Sequence, residues 1–441
     1  MKTRFYPIII CMMCIFIAQH AFASTTKWWN TRWEIRIPIV VNATNTTLQN
    51  RPISLPWSSI ANKLGNTSVR LSSLRLIANG KPIPFQIDSR DADGHYITGS
   101  MKLGRYDRLV FVAPTRYKTD YFLYMSQKPM PPATFTSSVQ VKALRDTQAH
   151  QRLSSAGLSI DIQGPPPLDA SANPPADYAK GTVTGMTLQG KSLTGQSNNW
   201  SVFMNGHPFP TDPMNPWQAA KLIVNGPVHK VVGIRCPNSK TTSADGTTIM
   251  QAAVTRYFSM FSNVSAYEVE DIIQCSSAQG DWTGVYIDRL YLGHRPNIND
   301  TLWDGSSGTP KRHTLSSDSI PHNSSGNFDT TGELIISQKT INGWYGWFDE
   351  KAKNGIAVFY GSEPTNTVQP AGIGFRSGWA VWSMENWMTF SYTGLKAPAN
   401  LRHRFRIIGI NATTPELVNN EYEMWKSMSA FVSIGKIQRR K

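Results

Sequence analysis

Charged residues, cysteines and long apolar runs are all scarce in this sequence. Only 17% of the 441 residues are charged, and acidic residues number 29 against 44 lysines and arginines. Beyond the N-terminus no segment is long and apolar enough for a membrane-spanning helix, which excludes an integral helical membrane protein. Sustained helical periodicity is nearly absent as well. The sequence is therefore that of a basic protein built mainly from strands.

The one compact apolar run lies at the N-terminus and has the three parts of a secretory signal. Lys2 and Arg4 precede the apolar residues 8–18, and a small-x-small cleavage site follows at 21–23. We predict a signal peptide over 1–23 and a mature chain of about 418 residues. A chain of that length is normally too long for one hydrophobic core, so we expect two domains. The signal peptide predicts a periplasmic or secreted location.

The basic charge balance survives this cleavage. Loss of Lys2 and Arg4 lowers the formal charge from +15 by two, to +13. This charge favours an anionic partner such as uronate-containing or sulfated polysaccharide, a membrane surface or nucleic acid. Dispersed charge that only keeps the protein in solution is the alternative. Because no nucleic-acid-binding motif accompanies the charge, we expect an acidic polysaccharide or oligosaccharide as partner, no nucleic acid and no cofactor.

Two cysteines, Cys236 and Cys275, remain in the mature chain. Each ends an apolar stretch, and an oxidising compartment would allow them to pair, so we expect one disulfide between them. Two buried thiols are the alternative. No metal site is expected, since neither residue is accompanied by a Cys-x-x-Cys or His-x-x-x-His spacing.

Short runs rich in β-branched and aromatic residues recur along the chain, separated by Gly, Pro, Asn, Asp and Ser, and they predict an all-β fold. The first group predicts a small N-terminal β-sandwich or barrel domain over 24–130, with a hairpin turn at 79–81. Three prolines within 127–135 mark a linker. The strands of this domain are expected at 33–41, 73–78, 84–88, 108–113 and 121–126.

The second group of runs predicts one large β domain over 136–441. Its strands are expected near 158–162, 221–236, 250–262, 266–274, 285–292, 333–338 and 355–360. A short helix is expected near the C-terminus, where Pro415 suits the first helical position. Val418, Tyr422 and Trp425 would share one face of that helix.

Several of these segments carry a resemblance to a known group of proteins. They are 35–41, 73–76, 79–86 and 107–112 in the first domain, and 226–232, 255–258, 267–270, 343–349 and 354–358 in the second. Their order resembles glycan-active proteins in which a small N-terminal β domain precedes a β-supersandwich of the galactose-mutarotase type. Relatives include polysaccharide lyases, proteins of the YetA type and uncharacterised families. The resemblance implies a β-supersandwich and a carbohydrate-active protein, while the reaction stays open.

Tryptophan is abundant, with 14 residues that offer flat rings to the apolar face of a sugar. One aromatic cluster contains Trp344, Tyr345 and Trp347, and a second surrounds Glu385. We predict that these three residues and Glu385 bind substrate. The alternative is that the aromatic residues belong to the core of the sandwich.

The segment 286–295 offers the groups that β-elimination of a uronate requires, namely a cation for the carboxylate, a base for the C5 proton and an acid for the leaving oxygen. We predict that its catalytic residues are Arg289, Tyr291, His294 and Arg295. Strand alternation places His294 on the opposite face from the other three unless the strand bends just before it. A solvated strand with its own ion pairs is the alternative.

Weaker candidates lie elsewhere in the sequence. Three further histidines, in contexts more typical of turns or surfaces, are His207, His313 and His403. A hydrolase would need two carboxylates across a cleft, for which Glu385 and Asp349 are candidates. The loop 88–94 has acidic spacing similar to a calcium loop but lacks the closing glutamate, so we interpret it as a polar hairpin.

These observations lead to an exported carbohydrate-active protein. The leading hypothesis is a polysaccharide lyase that acts on an acidic, uronate-containing glycan. A non-catalytic glycan-binding or cell-surface protein and a glycoside hydrolase are the alternatives.

Overall fold

The structure is a computed structural model that describes most of the chain after residue 26. The described residues are 27–98, 103–144, 150–163, 182–192, 202–204, 207–209, 218–242, 248–278, 282–286, 300–305, 309–314, 334–336, 342–349, 354–362, 372–380, 383–392, 396–410 and 414–440.

Strands dominate the N-terminal part because β-branched and aromatic residues alternate with short turns. Strands β1 to β7 span Ile35–Val41, Asn50–Pro56, Arg75–Ala78, Lys81–Ile83, Phe85–Asp88, Arg108–Pro114 and Thr119–Met125, with a 3-10 turn at Leu71–Ser73. Helix α1 spans Trp57–Leu64, and its residues Trp57, Ile60 and Leu64 are buried. The expected hairpin joins β3 to β4, and its turn residues Asn79 and Gly80 both have positive φ, as a two-residue hairpin turn requires.

The other described strands follow from residue 140 onward. They are β8 (Gln140–Ala143), β9 (Gln151–Ser155), β10 (Leu158–Gln163), β11 (Thr182–Leu188), β12 (Lys191–Ser192), β13 (Val202–Met204), β14 (His207–Phe209), β15 (Lys221–Asn225), β16 (His229–Thr242), β17 (Thr248–Phe261), β18 (Ala266–Ala278), β19 (Trp282–Tyr286), β20 (Asp300–Asp304), β21 (Lys311–Thr314), β22 (Leu334–Ile336), β23 (Asn342–Asp349), β24 (Asn354–Ser362), β25 (Gly372–Ala380), β26 (Ser383–Tyr392), β27 (Ala399–Ile410), β28 (Val432–Ile434) and β29 (Gln438–Arg439). Helices α2 (Pro415–Lys426) and α3 (Met428–Phe431) lie between β27 and β28.

Two sheets are built mainly from the strands of residues 35–125, which we call the N-terminal domain. Within the described residues, the N-terminal sheet has the order β28-β1-β7-β3-β4, with β29 also paired to β1, and a smaller sheet has the order β2-β6-β5. Alternate residues of β1, Ile35, Ile37 and Ile39, share one buried core with Leu109 and Phe111 of β6. The alternation produces this core because successive side chains of a strand point to opposite faces.

The C-terminal end of the chain returns to this domain. Strand β28 pairs with β1 from Ile39↔Ile434 to Val41↔Val432, and β29 pairs with the start of β1. The predicted second domain, 136–441, is therefore corrected at its C-terminal end, because residues 432–439 belong to the N-terminal sheet. Strands of two and three residues are too short to show a period in the sequence.

The second domain is built on a large sheet. Its described strands have the order β15-β16-β17-β18-β27-β24-β23-β20-β21. A second sheet of order β12-β11-β10-β9-β8, which we call the cover sheet, packs on one face of the large sheet, which we call its inner face. The two sheets share one hydrophobic core, which contains Leu153 and Ile160 of the cover sheet and Val254, Val269 and Leu401 of the large sheet. Strands β19, β26, β25 and β22 form a separate sheet. The predicted all-β class is confirmed.

Helix α2 confirms the helix expected near the C-terminus. Pro415 lies in its first turn, and Val418, Tyr422 and Trp425 are buried. The last two rings contact Phe359 of β24, with ring centroids 5.7 and 6.0 Å away. The helix thus covers part of the outer face of the large sheet. In the described ranges, no helix is both long and apolar enough to cross a membrane.

The structure replaces the expected disulfide by two buried thiols. Cys236 on β16 and Cys275 on β18 are buried and are not joined to each other. Strand β17 lies between them, with Val254 opposite Cys236 and Ala252 opposite Cys275. Two strand spacings are about 9 to 10 Å, which exceeds the limit of roughly 7 Å between the Cα atoms of a disulfide. Burial raises the pKa of the Cys275 thiol to about 12.

Candidate functional site

The residues predicted to be catalytic lie outside the described part of the chain. Arg289, Tyr291, His294 and Arg295 follow Tyr286, where β19 ends and the described residues stop. Their roles therefore remain predictions.

The predicted aromatic site residues are divided between two sheets. Trp344, Tyr345 and Trp347 are on β23 of the large sheet, whereas Glu385 is on β26 of the separate sheet. Trp344 is fully buried, and its Nε1 donates a hydrogen bond of 2.9 Å to Asn419 Oδ1 of α2. A fully buried ring has no face for a sugar, so the predicted stacking role of Trp344 is corrected to packing against α2.

A dense group of charged side chains lies where the N-terminal domain meets the outer face of the large sheet. Alternation along β18 puts Glu268 and Glu270 on this face. Alternation along β27 puts Arg402, Arg404 and Arg406 beside them, with Glu268 opposite Arg406 in the register and Glu270 opposite Arg404. We define the junction cluster as these five residues together with Asp88, Arg90, Arg108 and His229, all of which line one small cavity.

Glu268 is held by two arginines of the neighbouring strand. Arg404 Nη2 donates to one carboxylate oxygen at 2.8 Å and Arg406 Nε to the other at 2.8 Å. Burial would raise the pKa of Glu268, but the two guanidinium groups outweigh it and lower this pKa to about 2. Arg406 Nη1 also lies 3.4 Å from Glu421 Oε1, which links the sheet to α2. Burial raises the pKa of Glu421.

Glu270 joins the two domains. Arg90 of the N-terminal domain donates from Nη1 to both carboxylate oxygens, at 2.7 and 2.9 Å. Arg402 Nε donates to Oε1 at 2.6 Å. Burial opposes ionisation, yet Arg90 and Arg402 lower the pKa of Glu270 to about 2. The carboxylate is therefore ionised at neutral and mildly acidic pH and ties the N-terminal domain to β27.

A buried histidine and aspartate make a second link across the junction. His229 Nε2 of β16 lies 2.8 Å from Asp88 Oδ2 of β5, and the imidazole stacks on Phe261 at a centroid distance of 4.8 Å. Gln86 donates to Asp88 Oδ1 at 2.7 Å and accepts from the backbone N–H groups of Val228 and His229 at 3.0 Å each. Burial raises the pKa of Asp88, but His229 and Gln86 outweigh it, and the pKa is lowered overall.

The cavity inside the junction cluster is too small for a sugar. Its volume is about 40 Å³, which accommodates very few water molecules. Five arginines and three carboxylates are among the residues that line it, so the cluster carries an excess of positive charge. A ligand must therefore meet this charge from the edge of the cluster rather than from its interior.

The edge is covered by residues 88–97 of the N-terminal domain, which we call the docking loop. Gly94 has a φ of 95°, and a Cβ added there would lie 3.1 Å from Arg402 Cζ. Asn400 Nδ2 of β27 donates to Asp93 Oδ1 at 3.1 Å. The loop thus rests directly on β27, and this close approach of the backbone to Arg402 requires a glycine.

His95, which follows Gly94 in the docking loop, brings an imidazole to the same edge of the junction cluster. His95 Nδ1 lies 3.1 Å from the Tyr257 hydroxyl, and Tyr96 makes an edge-to-face contact with Tyr257 at 5.0 Å. Burial raises the pKa of Tyr257, which keeps it a neutral phenol. Tyr257 is 5% exposed, whereas the Arg402 side chain is 24% exposed and His95 is partly exposed. We define the rim site as His95, Tyr257 and Arg402.

The rim site combines two chemical functions. The Arg402 guanidinium can pair with a carboxylate. Because Nδ1 of His95 faces Tyr257, Nε2 is on the far side of the ring, and a ring nitrogen of histidine can accept or donate a proton. The arrangement can therefore bind an acidic group and move a proton beside it. Among the described residues, no group of three or more His, Cys, Asp or Glu side chains is arranged to hold a metal ion.

A second polar row crosses the inner face of the large sheet. Arg256 Nε donates to Asp271 Oδ1 at 2.8 Å, and both side chains are fully buried. His403, opposite Asp271 in the register, is also buried, and burial with the nearby charge of Arg256 lowers its pKa to about 3. The surface or turn role expected for His403 is corrected to a core position. This row lies within the core between the large sheet and the cover sheet.

The sequence contained one signal for the junction cluster. Charges alternate with apolar or buried residues over 268–270 and again over 402–406, which is typical of strands with one charged face. The two segments have opposite charge, but they are separated by more than 130 positions. Sequence alone did not show that β18 and β27 are neighbours.

Comparisons with known proteins give matches in structure only. No family model matches the sequence, and no curated protein matches it. An α-mannosidase from Enterococcus faecalis V583 aligns with 92% of this chain and 46% of its own, at 10% identity and a TM-score of 0.45. A putative aldose 1-epimerase from Klebsiella pneumoniae aligns with 65% of this chain and 87% of its own, at 10% identity and a TM-score of 0.38. The chain spans less than half the length of the mannosidase.

Proposed function

We propose that the protein is an exported carbohydrate-active protein that binds a uronate-containing glycan at the rim site and cleaves it by β-elimination. The observation that carries this proposal is the contact between His95 and Tyr257, which lies beside Arg402 at the edge of a cluster with excess positive charge. Glu270 engages Nε and Nη2 of Arg402, and the other N–H groups of this guanidinium can meet a uronate carboxylate at the edge of the cluster. A partly exposed imidazole beside it is a suitable proton carrier.

The elimination can be written with these residues alone. Arg402 neutralises the uronate carboxylate, which acidifies the C5–H bond. His95 Nε2 takes the C5 proton, the C–H electron pair becomes the C4=C5 double bond, and the bond between C4 and the leaving oxygen breaks. That oxygen then takes the proton back from the imidazolium. In the tautomer that leaves Nε2 as the base, Nδ1–H donates to the Tyr257 hydroxyl, which holds the ring, so Tyr257 is a positioning residue.

The reaction is tested on a panel of uronate polysaccharides by the ultraviolet absorbance of the unsaturated product. We expect new absorbance with the wild-type protein, and a loss of about 100-fold or more in kcat for His95→Ala. Arg402→Ala should raise KM and also lower kcat, because Arg402 both binds the carboxylate and acidifies the C5–H bond. Arg116→Ala removes an exposed arginine of the same domain and should leave both constants unchanged.

Other outcomes assign other functions. New reducing ends without absorbance would indicate a hydrolase, and saturable binding with neither product would indicate a glycan-binding protein. Full turnover in both His95→Ala and Arg402→Ala would contradict the rim site. In that case Arg289→Ala and Tyr291→Phe test the segment 286–295 as the alternative location.

Export rests on the signal sequence at residues 1–23. N-terminal sequencing of the protein recovered from outside the cytoplasm should begin at Ser24. A protein that keeps residue 2 and remains inside the cell would contradict this part of the proposal.

A further inference from the structure

A cluster of aromatic rings lies on the far side of the N-terminal domain from the junction. The junction cluster is approached by the smaller sheet, β2-β6-β5, whereas the rings lie on the outer face of the N-terminal sheet. Arg36 and Tyr124 face each other across β1 and β7 on this side. We define the aromatic platform as Trp28, Trp29, Trp33, Phe122 and Tyr124.

Hydrogen bonds fix the rings of the platform. Trp28 Nε1 donates to the Trp33 carbonyl at 2.6 Å, and Trp33 Nε1 donates to the Ser73 carbonyl at 2.5 Å. The backbone N–H of Trp29 donates to the Tyr124 hydroxyl at 2.9 Å. The Trp29 ring itself is held by contacts with Trp33 and Tyr124, at centroid distances of 5.1 and 5.7 Å. Because both N-terminal rings are already held in place, a ligand that stacks on them would cost the protein little side-chain freedom.

The open part of Trp28 faces away from the sheet. Arg36 lies 4.5 Å from the centre of the Trp28 ring and is itself only 5% exposed, so it lies beneath one face of that ring. Trp33 and Tyr124 are buried, whereas Trp28 and Trp29 are partly exposed. The exposed surface of Trp28 is therefore on the side opposite Arg36.

The segment that carries these two indoles is rich in cations. Arg36 underlies Trp28, and Lys27 and Arg32 are exposed on either side of the tryptophan pair in the sequence. Glu34 is the acidic residue of the same segment and is partly buried. An indole face suits the C–H face of a sugar ring, and the cations suit a carboxylate or sulfate on that ring.

We propose that the aromatic platform is a second glycan-binding site, in which Trp28 and Trp29 stack on one acidic sugar ring. The proposal takes its ligand class from the proposed function but needs no reaction. Because the platform and the rim site lie on opposite sides of the domain, one long chain that reached both would bind more tightly than a short one.

The test measures affinity for an oligogalacturonate of defined length and, separately, for the polymer. Trp28→Ala and Trp29→Ala should each weaken polymer binding roughly five- to tenfold, the loss expected for one aromatic contact. Tyr117→Ala removes a ring that is 70% exposed on the same domain and should leave affinity unchanged. Folded tryptophan variants that bind like the wild type would overturn the platform.

A measurement on the wild-type protein avoids the risk that a variant unfolds. Oxidative footprinting with mass spectrometry reports the reactivity of each tryptophan, and bound polymer should protect Trp28 and Trp29. Unchanged oxidation of both residues at saturating polymer would overturn the proposal. Weaker binding of the short oligogalacturonate in Arg402→Ala, with the platform still protected by the polymer, would show that the two sites are separate. Absence of platform protection in a wild-type protein that still binds the short oligogalacturonate would overturn the platform and leave the rim site standing.

Discussion

Arg402 is the residue where the buried charges of the junction cluster reach solvent. Its guanidinium lies against Gly94, donates to Glu270 and is a quarter exposed. Its Nε and Nη2 groups both contact Glu270 Oε1, so the guanidinium is held in one orientation, and a ligand carboxylate would meet its other N–H groups rather than a mobile point charge. We therefore expect Arg402→Lys, which keeps the charge, to weaken binding of a uronate oligosaccharide by about tenfold.

Titration calorimetry measures this loss, with Arg116→Lys as the matched exchange at an exposed position of the N-terminal domain. Equal affinities of Arg402→Lys and wild type would show that charge alone matters at this position.

The reactivity of the two cysteine thiols gives a further prediction. Because Cys275 is buried and its pKa is raised to about 12, its thiol should react very slowly in the native protein near pH 8. In denaturant without reductant, the mature protein should titrate with two thiols. A count below two thiols would indicate the disulfide expected from the sequence and would contradict the separation of β16 from β18.

The docking loop is the element that shapes the rim site. It brings His95 over Tyr257 and Gly94 against Arg402, so its backbone conformation sets the distance between imidazole and guanidinium. The sequence predicted this segment as a polar hairpin, and it did not show the strand on which the hairpin rests. A loop has no hydrophobic periodicity, so its sequence does not show which distant strand it contacts.

A pair of glycine variants tests the docking loop. Gly94 and Gly80 both have positive φ, but only at Gly94 would a Cβ meet a neighbour. Each change to alanine should cost about 1 to 2 kcal/mol of unfolding free energy from the backbone conformation. Gly94→Ala should in addition displace Arg402 and weaken glycan binding severalfold, whereas Gly80→Ala should not. Denaturant unfolding and calorimetry measure both effects, and equal binding of the two variants would contradict the role of the loop.

Local elements were predicted better than their partners. Strands β1, β3, β5, β6 and β7 and helix α2 follow from alternation, turn residues and the proline at residue 415, whereas β2 and helix α1 were not predicted. The pairing of β28 with β1 and of β18 with β27 joins segments far apart in sequence. Such pairings depend on the burial of whole faces, which one sequence does not reveal. The buried Trp344 was misassigned for the same reason, since α2 covers it.

At the scale of the whole molecule, the junction cluster couples the two domains through ionised groups. Glu268 and Glu270 have a pKa of about 2 in the folded protein, against 4.5 for an ordinary glutamate. A lowered folded pKa gives stability that is complete above the unfolded pKa and is lost as the pH falls towards the folded one. His403, with its pKa lowered to about 3, acts in the same direction, whereas Glu421, with its raised pKa, acts in the opposite one.

We therefore expect the free energy of unfolding to fall from about pH 6.5, the ordinary pKa of histidine, to about pH 2, with a contribution on the order of 3 kcal/mol from each of the two glutamates. Glu270→Gln should be less stable than wild type at pH 7 and should show a shallower loss in acid. Glu416→Gln changes an exposed glutamate of α2 and should keep the wild-type profile. Parallel profiles for Glu270→Gln and wild type would contradict the ionised link between the domains.

We propose that the rim site recognises the carboxylate of an acidic sugar. The affinities of the wild-type protein and of Arg402→Ala are compared for a uronate oligosaccharide and for the same oligosaccharide after reduction of its carboxyl groups. We expect wild type to bind the acidic form at least about tenfold more tightly and Arg402→Ala to lose this preference. Equal affinity of wild type for both forms, or an unchanged preference in Arg402→Ala, would contradict this proposal.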